Sequence, residues 1–229
     1  YGADMDALLA EMTAQEEPNY YAFEDYVAQS TGVDKSDNKI AVVYADGEIV
    51  DGEAPQPMVG GESLASALAE LRNQDDVKGV VLRVNSPGGS ALASEVIWHE
   101  MELLRDKKPV IVSMGDMAAS GGYYISCPAD AILASPTTIT GSIGVFGLLF
   151  NAQNGLKDKL GITVDVAKTN PSADMGVPFR ALSAAERNYL QHSVEHTYAQ
   201  FVDHVAAGRN LTREQVDSLG GGRVWSGVS

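Results

Sequence analysis

Only one cysteine, Cys127, stands among the 229 residues, so no internal disulfide can brace the fold. It sits in Ile125-Ser126-Cys127-Pro128-Ala129 with no histidine near it in sequence, which reads as a buried structural thiol rather than a nucleophile. Histidine is sparse: the four are His99, His192, His196 and His204. Basic side chains are outnumbered, 16 Lys and Arg against 31 Asp and Glu, for a formal charge of −15. That balance repels phosphate backbones and anionic headgroups and argues against nucleic acid as a partner. Missing as well is any run of the ~18 uninterrupted apolar residues that a membrane span needs. The start has no basic region followed by an apolar one, nor an initiator Met, so the sequence reads as a soluble piece of a protein anchored, if at all, by parts outside it.

What is present is an ordinary globular composition, 45% hydrophobic and 21% charged, long enough for a substantial core. Residues 1–38 are acidic and tyrosine-rich with a short helical pattern at Met5–Met12, and read as a linker and the tail of a preceding domain. From Lys39 the texture changes. Ile40–Tyr44 is an apolar β-rich run, and Asp46-Gly47 followed by Glu48–Val50 is expected to fold back as a hairpin. Strand and helix patterns then alternate: a helical face at Leu64, Leu68 and Leu71, a strand at Gly79–Val84, a helix through Ala93, Ile97, Met101 and Leu104, and a strand at Val110–Met114. A short helix after Ser120, a strand at Ala131–Ala134, a helix near Ala152–Leu160 and a strand at Ile162–Ala167 continue the series. Such alternation predicts an α/β fold of right-handed βα units. The last long element, about 184–207, carries Leu190, Val194, Tyr198, Phe201 and Val205 on one stripe and is expected to dock as an amphipathic helix.

Two loops lie just after a buried strand and just before a helix, where α/β domains gather ligands. They are Asn85-Ser86-Pro87-Gly88-Gly89-Ser90 and Gly115-Asp116-Met117-Ala118-Ala119-Ser120-Gly121-Gly122. Read alone, the second is either a tightly packed turn or a place where backbone must approach a ligand. Read together, the loops could hold a carbonyl oxygen with N–H groups of one and attack its carbon from Ser120 of the other. A base is then needed. His99 reads as a surface residue of a helix. His192-Ser193-Val194-Glu195-His196 matches the H-x-x-E-H zinc pattern, but each histidine is rotated about 160° from Val194 at the centre of the apolar face. Both should face solvent, and no metal site is expected. Of the lysines, Lys168 alone leaves an apolar strand toward a loop; it is a candidate base if desolvated, or else a strand-end side chain reaching water.

With both loops in hand, the chain resembles the signal peptide peptidase A family, serine proteases of the Ser–Lys type. The likeness rests on "LRVNSPGGSALASEV" (82–96), "VSMGDMAASGGYYIS" (112–126), "TTITGSIGVFG" (137–147) and "GRVWSG" (222–227), in family order. It runs from about Lys39 to the end and is similar to the C-terminal half of the double-length form, making 39–229 the catalytic domain. The resemblance implies a Clp-protease and crotonase-like spiral of repeated ββα units, with Ser120 as nucleophile and Gly88 and Gly121 in the oxyanion hole. It implies that Ser142 orients the base lysine, and an apolar groove involving Gly89, Tyr123, Tyr124, Ile143 and Val145, with Phe146, Leu148 and Leu149 nearby. Single-domain relatives carry the lysine in a Lys-Asp pair where this chain has Ser172-Ala173-Asp174. The lysine is therefore expected in the N-terminal half of the same protein. No cofactor is implied. The other implied features are homo-oligomers, cleaved signal peptides as substrates, and the periplasmic side of the bacterial inner membrane. Rival readings are a crotonase-like acyl-CoA enzyme and a non-catalytic oligomerisation or peptide-presenting domain.

Overall fold

The computed structural model describes residues 37–55 and 57–229. All but the end of the connector read over 1–38, the pattern at Met5–Met12 included, lies outside the described residues.

Two ten-residue strands, β4 (Val77–Ser86) and β5 (Val110–Ala119), form the centre of the sheet, because their apolar runs are covered too well to face water on one side. β1 (Lys39–Asp46) lies parallel to β4, and β4 parallel to β5. The far edge of β5 is shared: β6 (Ala131–Leu133) pairs with Ile111–Ser113, and β7 (Ile139–Gly141) with Met117–Ala119. β8 (Val224–Ser226) closes that edge antiparallel to β7. Helices α1 (Gly61–Asn73) and α2 (Ala91–Arg105) bury Leu64, Leu68, Ala93, Ile97, Met101 and Leu104 against Val80, Leu82, Val84, Val110 and Val112. A Cβ on Gly61 would lie 2.8 Å from the Ala93 Cβ, so the two helices approach as closely as glycine allows.

A second cluster joins α3 (Gly121–Ser126), α5 (Ala184–Arg209) and α6 (Arg213–Leu219) through Tyr124, Cys127, Phe201, Val202, Val205 and Val216. The Cys127 thiol is fully buried in it and donates to the Tyr124 carbonyl at 3.1 Å. Burial pushes that thiol up to about 12, the state of an inert structural cysteine.

Three expectations change. Asp46-Gly47 does not open a hairpin: β2 (Ile49–Val50) turns away from β1 and pairs in parallel with β3 (Val59–Gly60). The reason is that Gly47 donates to the Asn85 carbonyl at 2.9 Å, so the chain stays beside β4 rather than folding back. Ile162–Ala167, after α4 (Gln153–Leu160), forms no strand; among the described residues no neighbour pairs with it, and Ile162, Val164 and Val166 are exposed. The stripe on α5 docks only in its second half, where Phe201, Val202 and Val205 are buried, while Leu190, Val194 and Tyr198 stay half-buried.

Leu82 is fully buried in the central strand. Leu82→Ala should cost about 2–5 kcal/mol of unfolding free energy in urea, whereas a loss under about 1 kcal/mol would mean that the sheet centre repacks.

Candidate active site

β4 and β5 end side by side, with Ser86 opposite Ala118, so the loops that follow them meet. Asn85 fastens the junction: its Oδ1 accepts the Met117 N–H at 3.2 Å, and its Nδ2 donates to Asp46 Oδ1 at 3.0 Å. At the end of β5 the chain turns sharply into α3, and Ser120 takes the turn at φ 52°, ψ −119°. A non-glycine residue there stores roughly 1–3 kcal/mol of backbone strain. The position is held from both sides, because Ser120 N–H donates to the Gly141 carbonyl at 2.9 Å and its carbonyl accepts Tyr124 N–H at 2.9 Å.

Gly88 faces this turn at φ +96°. A Cβ there would lie 2.5 Å from the Gly121 nitrogen and 2.9 Å from the Ser120 Cβ, so only glycine fits. β2 clamps the loop from behind: Ile49 N–H donates to the Gly88 carbonyl at 3.0 Å, and Ser90 N–H to the Ile49 carbonyl at 2.8 Å. The Gly88 N–H is itself engaged, donating to Ser86 Oγ at 3.1 Å. The donor expected from Gly88 therefore has a partner within its own loop in this structure. Beside Ser120, the N–H groups of Gly89 and Gly121 have no acceptor among the described residues. They are close neighbours, since a Cβ on Gly121 would lie 3.2 Å from the Gly89 nitrogen.

An open cleft of about 820 Å³ is lined by Pro87, Gly89, Ser120, Ser142, Val145 and Phe146, with Val194 and Tyr198 of α5 along one side. Ser142 reaches it because Gly141 and Ser142 both take positive φ, 78° and 49°. Ser142 N–H donates to the Arg223 carbonyl at 2.7 Å, so the segment Gly222–Gly227 braces this serine. Beside the cleft a smaller cavity of about 290 Å³ also opens at Ser120, with Gly121, Tyr124, Val145 and Phe201 in its wall. Of the expected groove residues, Gly89, Tyr124 and Val145 line these spaces. Ile143 is 5% exposed in the second core cluster, and Tyr123 packs between the two clusters; both serve the core instead. Val194 and Tyr198, expected on the docking stripe, also line the cleft. The signal that they line a cleft was the stripe's length, which exceeds what the core beneath it can cover.

Among the described residues neither a lysine nor a histidine lines either space; the carboxylates on the cleft wall are Glu48 and Glu195. Lys168, the fallback candidate, is held elsewhere, its ammonium donating to Asp174 Oδ1 and to the Pro171 carbonyl, each at 3.0 Å. The partner carboxylate is nearly buried and is also gripped by Arg180, through Nε to Oδ2 at 2.9 Å and Nη2 to Oδ1 at 2.7 Å. Arg180 continues to Glu186 at 2.8 and 2.6 Å, and Glu186 closes the capping box of α5 on Ser183. The Arg180 guanidinium, with Lys168 second, holds the Asp174 carboxyl well below the usual carboxylate range. Arg180 and then the Ser183 N–H hold Glu186 at about 2. His192 and His196 are exposed on α5, and His204 contacts Glu95 and Trp98.

A mostly parallel sheet whose two central strands feed glycine-rich turns into helices defines an α/β fold of the Clp-protease and crotonase-like class, and a Clp protease profile matches residues 40–137. The chain belongs to peptidase family S49, whose profile matches residues 102–229, and is of the signal peptide peptidase A type. It is 45% identical to "Protease 4" of Salmonella typhi over 92% of this chain and 34% of that protein. To "Protease 4" of Haemophilus influenzae it is 45% identical over 91% of this chain and 34% of that one. To "Serine protease SPPA, chloroplastic" of Arabidopsis thaliana it is 36% identical over 83% and 29%. The chain thus spans about a third of the length of these relatives.

Two outcomes follow from the geometry. Ser120→Gly relieves the positive φ, worth about 1–3 kcal/mol, against about 0.5–1 kcal/mol of added chain entropy; the melting midpoint should rise by a few degrees, and a fall would show that Ser120 is unstrained. Asp174 and Glu186 have lowered folded-state values, so their contribution is complete above about pH 4, the unfolded carboxylate range, and fades as pH drops toward about 2. Arg180→Met should lower the unfolding free energy at pH 5 and flatten its fall between pH 5 and 2 in urea titrations, and an unchanged pH profile would contradict the role given to the network.

Proposed function

We propose that residues 39–229 form the C-terminal catalytic domain of a serine endopeptidase that cleaves extended hydrophobic peptides through an acyl-enzyme on Ser120. The observation that carries this reading is the pairing of a strained, cleft-facing serine with two adjacent N–H groups that have no acceptor, Gly89 and Gly121. A base removes the Ser120 proton as Oγ bonds to the peptide carbonyl carbon, and the carbonyl electron pair moves onto oxygen, where both N–H groups donate to it. Collapse expels the amine, which takes the proton from the base, and water then hydrolyses the ester by the same route.

The base we assign is a lysine of the N-terminal half of the same protein, oriented by Ser142. Support comes from a cleft at Ser120 that no described lysine lines, the engagement of Lys168 with Asp174, and the third of its relatives' length that the chain spans. Substrates are hydrophobic peptides such as cleaved signal peptides, met by a homo-oligomer at the periplasmic side of the bacterial inner membrane. Membrane contact we assign to parts of the protein outside this chain; among the described residues no helix is long and apolar enough to cross a membrane. One observation favours a second reading: without a base, the domain would present peptides or organise oligomers without catalysis.

A fluorophosphonate probe applied to the full-length protein decides between them. Labelling should fall on Ser120 and disappear in Ser120→Ala, and full labelling of that variant would overturn the assignment. Residues 39–229 alone should hydrolyse peptide about 10²–10⁴-fold more slowly than the full-length protein; equal turnover would refute a base outside them.

A further inference from the structure

We propose that Tyr124 gauges the depth of the smaller cavity at Ser120, and so selects the side chain that precedes the cleaved bond, with Glu95 and His204 as positioning residues for its ring. This rests on the reading of Ser120 as nucleophile. The cavity, about 290 Å³, has Ser120 and the exposed Phe146 on its wall together with two buried rings, Tyr124 and Phe201, 4% and 2% exposed. Ala91, Ser94, Val145 and Thr197 are also on the wall, and no charged side chain lines it, so an acyl-side residue seated there is uncharged.

The end wall is fixed. Tyr124 O–H donates to Glu95 Oε2, and the same oxygen lies 3.1 Å from His204 Nε2. His204 stacks on Trp98 with centroids 3.5 Å apart and meets the Tyr124 ring edge-on at 5.4 Å, while Phe201 tilts against that ring at 4.6 Å. Burial, reinforced by the Glu95 hydrogen bond and charge, raises the phenol far above its usual range, so it remains a donor. Three helices thereby pin one ring: α2 through Glu95 and Trp98, α3 through Tyr124 itself, and α5 through Phe201 and His204. Because α3 begins at Gly121 and Tyr124 N–H holds the Ser120 carbonyl, the gauge sits one helical turn from the nucleophile. A side chain too long for the cavity cannot push the ring aside, and its carbonyl is left short of Ser120 Oγ and the two N–H groups. Ala, Val and Leu are accepted, and Trp is refused.

The test uses the full-length protein and peptides that differ only in the residue before the cleaved bond, with kcat/KM measured for Leu and Trp. In an apolar pocket a single methylene is worth about 10–200-fold, so Tyr124→Ala should raise the Trp-to-Leu ratio at least about tenfold. Glu95→Ala, which touches only a partly exposed side chain, should move the ratio the same way. Glu95→Gln, which keeps an acceptor for the phenol, should retain the original ratio. Fluorophosphonate labelling of Ser120 is followed throughout. An unmoved ratio with labelling intact overturns the gauge and leaves the nucleophile standing; absence of Ser120 labelling in the unmodified protein overturns both. Should Tyr124→Ala fail to fold, the Glu95 pair decides alone: ratios that stay equal in Ala and Gln contradict the proposal.

Discussion

The contact on which the site depends is the one between Gly88 and the start of α3. Backbone meets backbone there with no room for a Cβ on Gly88. Parallel pairing of β4 with β5 brings the two strand ends level, and Asn85 ties them through Met117. The Ile49 hydrogen bonds press the Gly88–Ser90 loop forward, and the Gly141 carbonyl captures Ser120 N–H. Between these constraints the chain has one way to pass from strand to helix, and Ser120 takes a conformation it would avoid alone. Sheet, clamp and glycines together keep the strained serine beside two N–H groups without acceptors.

The smaller strands serve the same place. The shared edge of β5 lets β6 cover its start and β7 its end, so Gly141 and Ser142 arrive next to Ser120. Arg223, just before β8, then braces Ser142 through its carbonyl. Further along, α5 behaves as two helices in one: its last third seals the second core cluster, and Val194 and Tyr198 overhang the cleft. Its first turn is secured by Glu186 and Arg180, the network that also engages Lys168.

How far this was legible in the sequence depended on the range of the interaction. The alternation of apolar strands with helical faces, the two glycine-rich junctions and the buried Cys127 are local patterns, and each lies where the pattern puts it. The hairpin at Asp46-Gly47 failed because a turn dipeptide does not say which strand will pair, and β4 is the better partner for β1. The strand read at Ile162–Ala167 has the right residues but no neighbour. Gly88 and Gly89 look alike in the sequence; only the hydrogen bond from Gly88 to Ser86 Oγ separates the engaged donor from the free one. The fate of Lys168 likewise hung on Arg180, whose grip on Asp174 builds a carboxylate site that the lysine joins.

The central claim, that Ser120 forms the acyl bond with its oxygen held by Gly89 and Gly121 and its base supplied from outside these residues, is tested most directly by a structure of the full-length protein with a peptide aldehyde. The expected result is a hemiacetal on Ser120 Oγ, its oxygen within hydrogen-bond distance of the Gly89 and Gly121 nitrogens, and a lysine from beyond residues 37–229 beside Ser142. A peptide bound away from Ser120, or an adduct whose oxygen turns to solvent with no such lysine in reach, would contradict it.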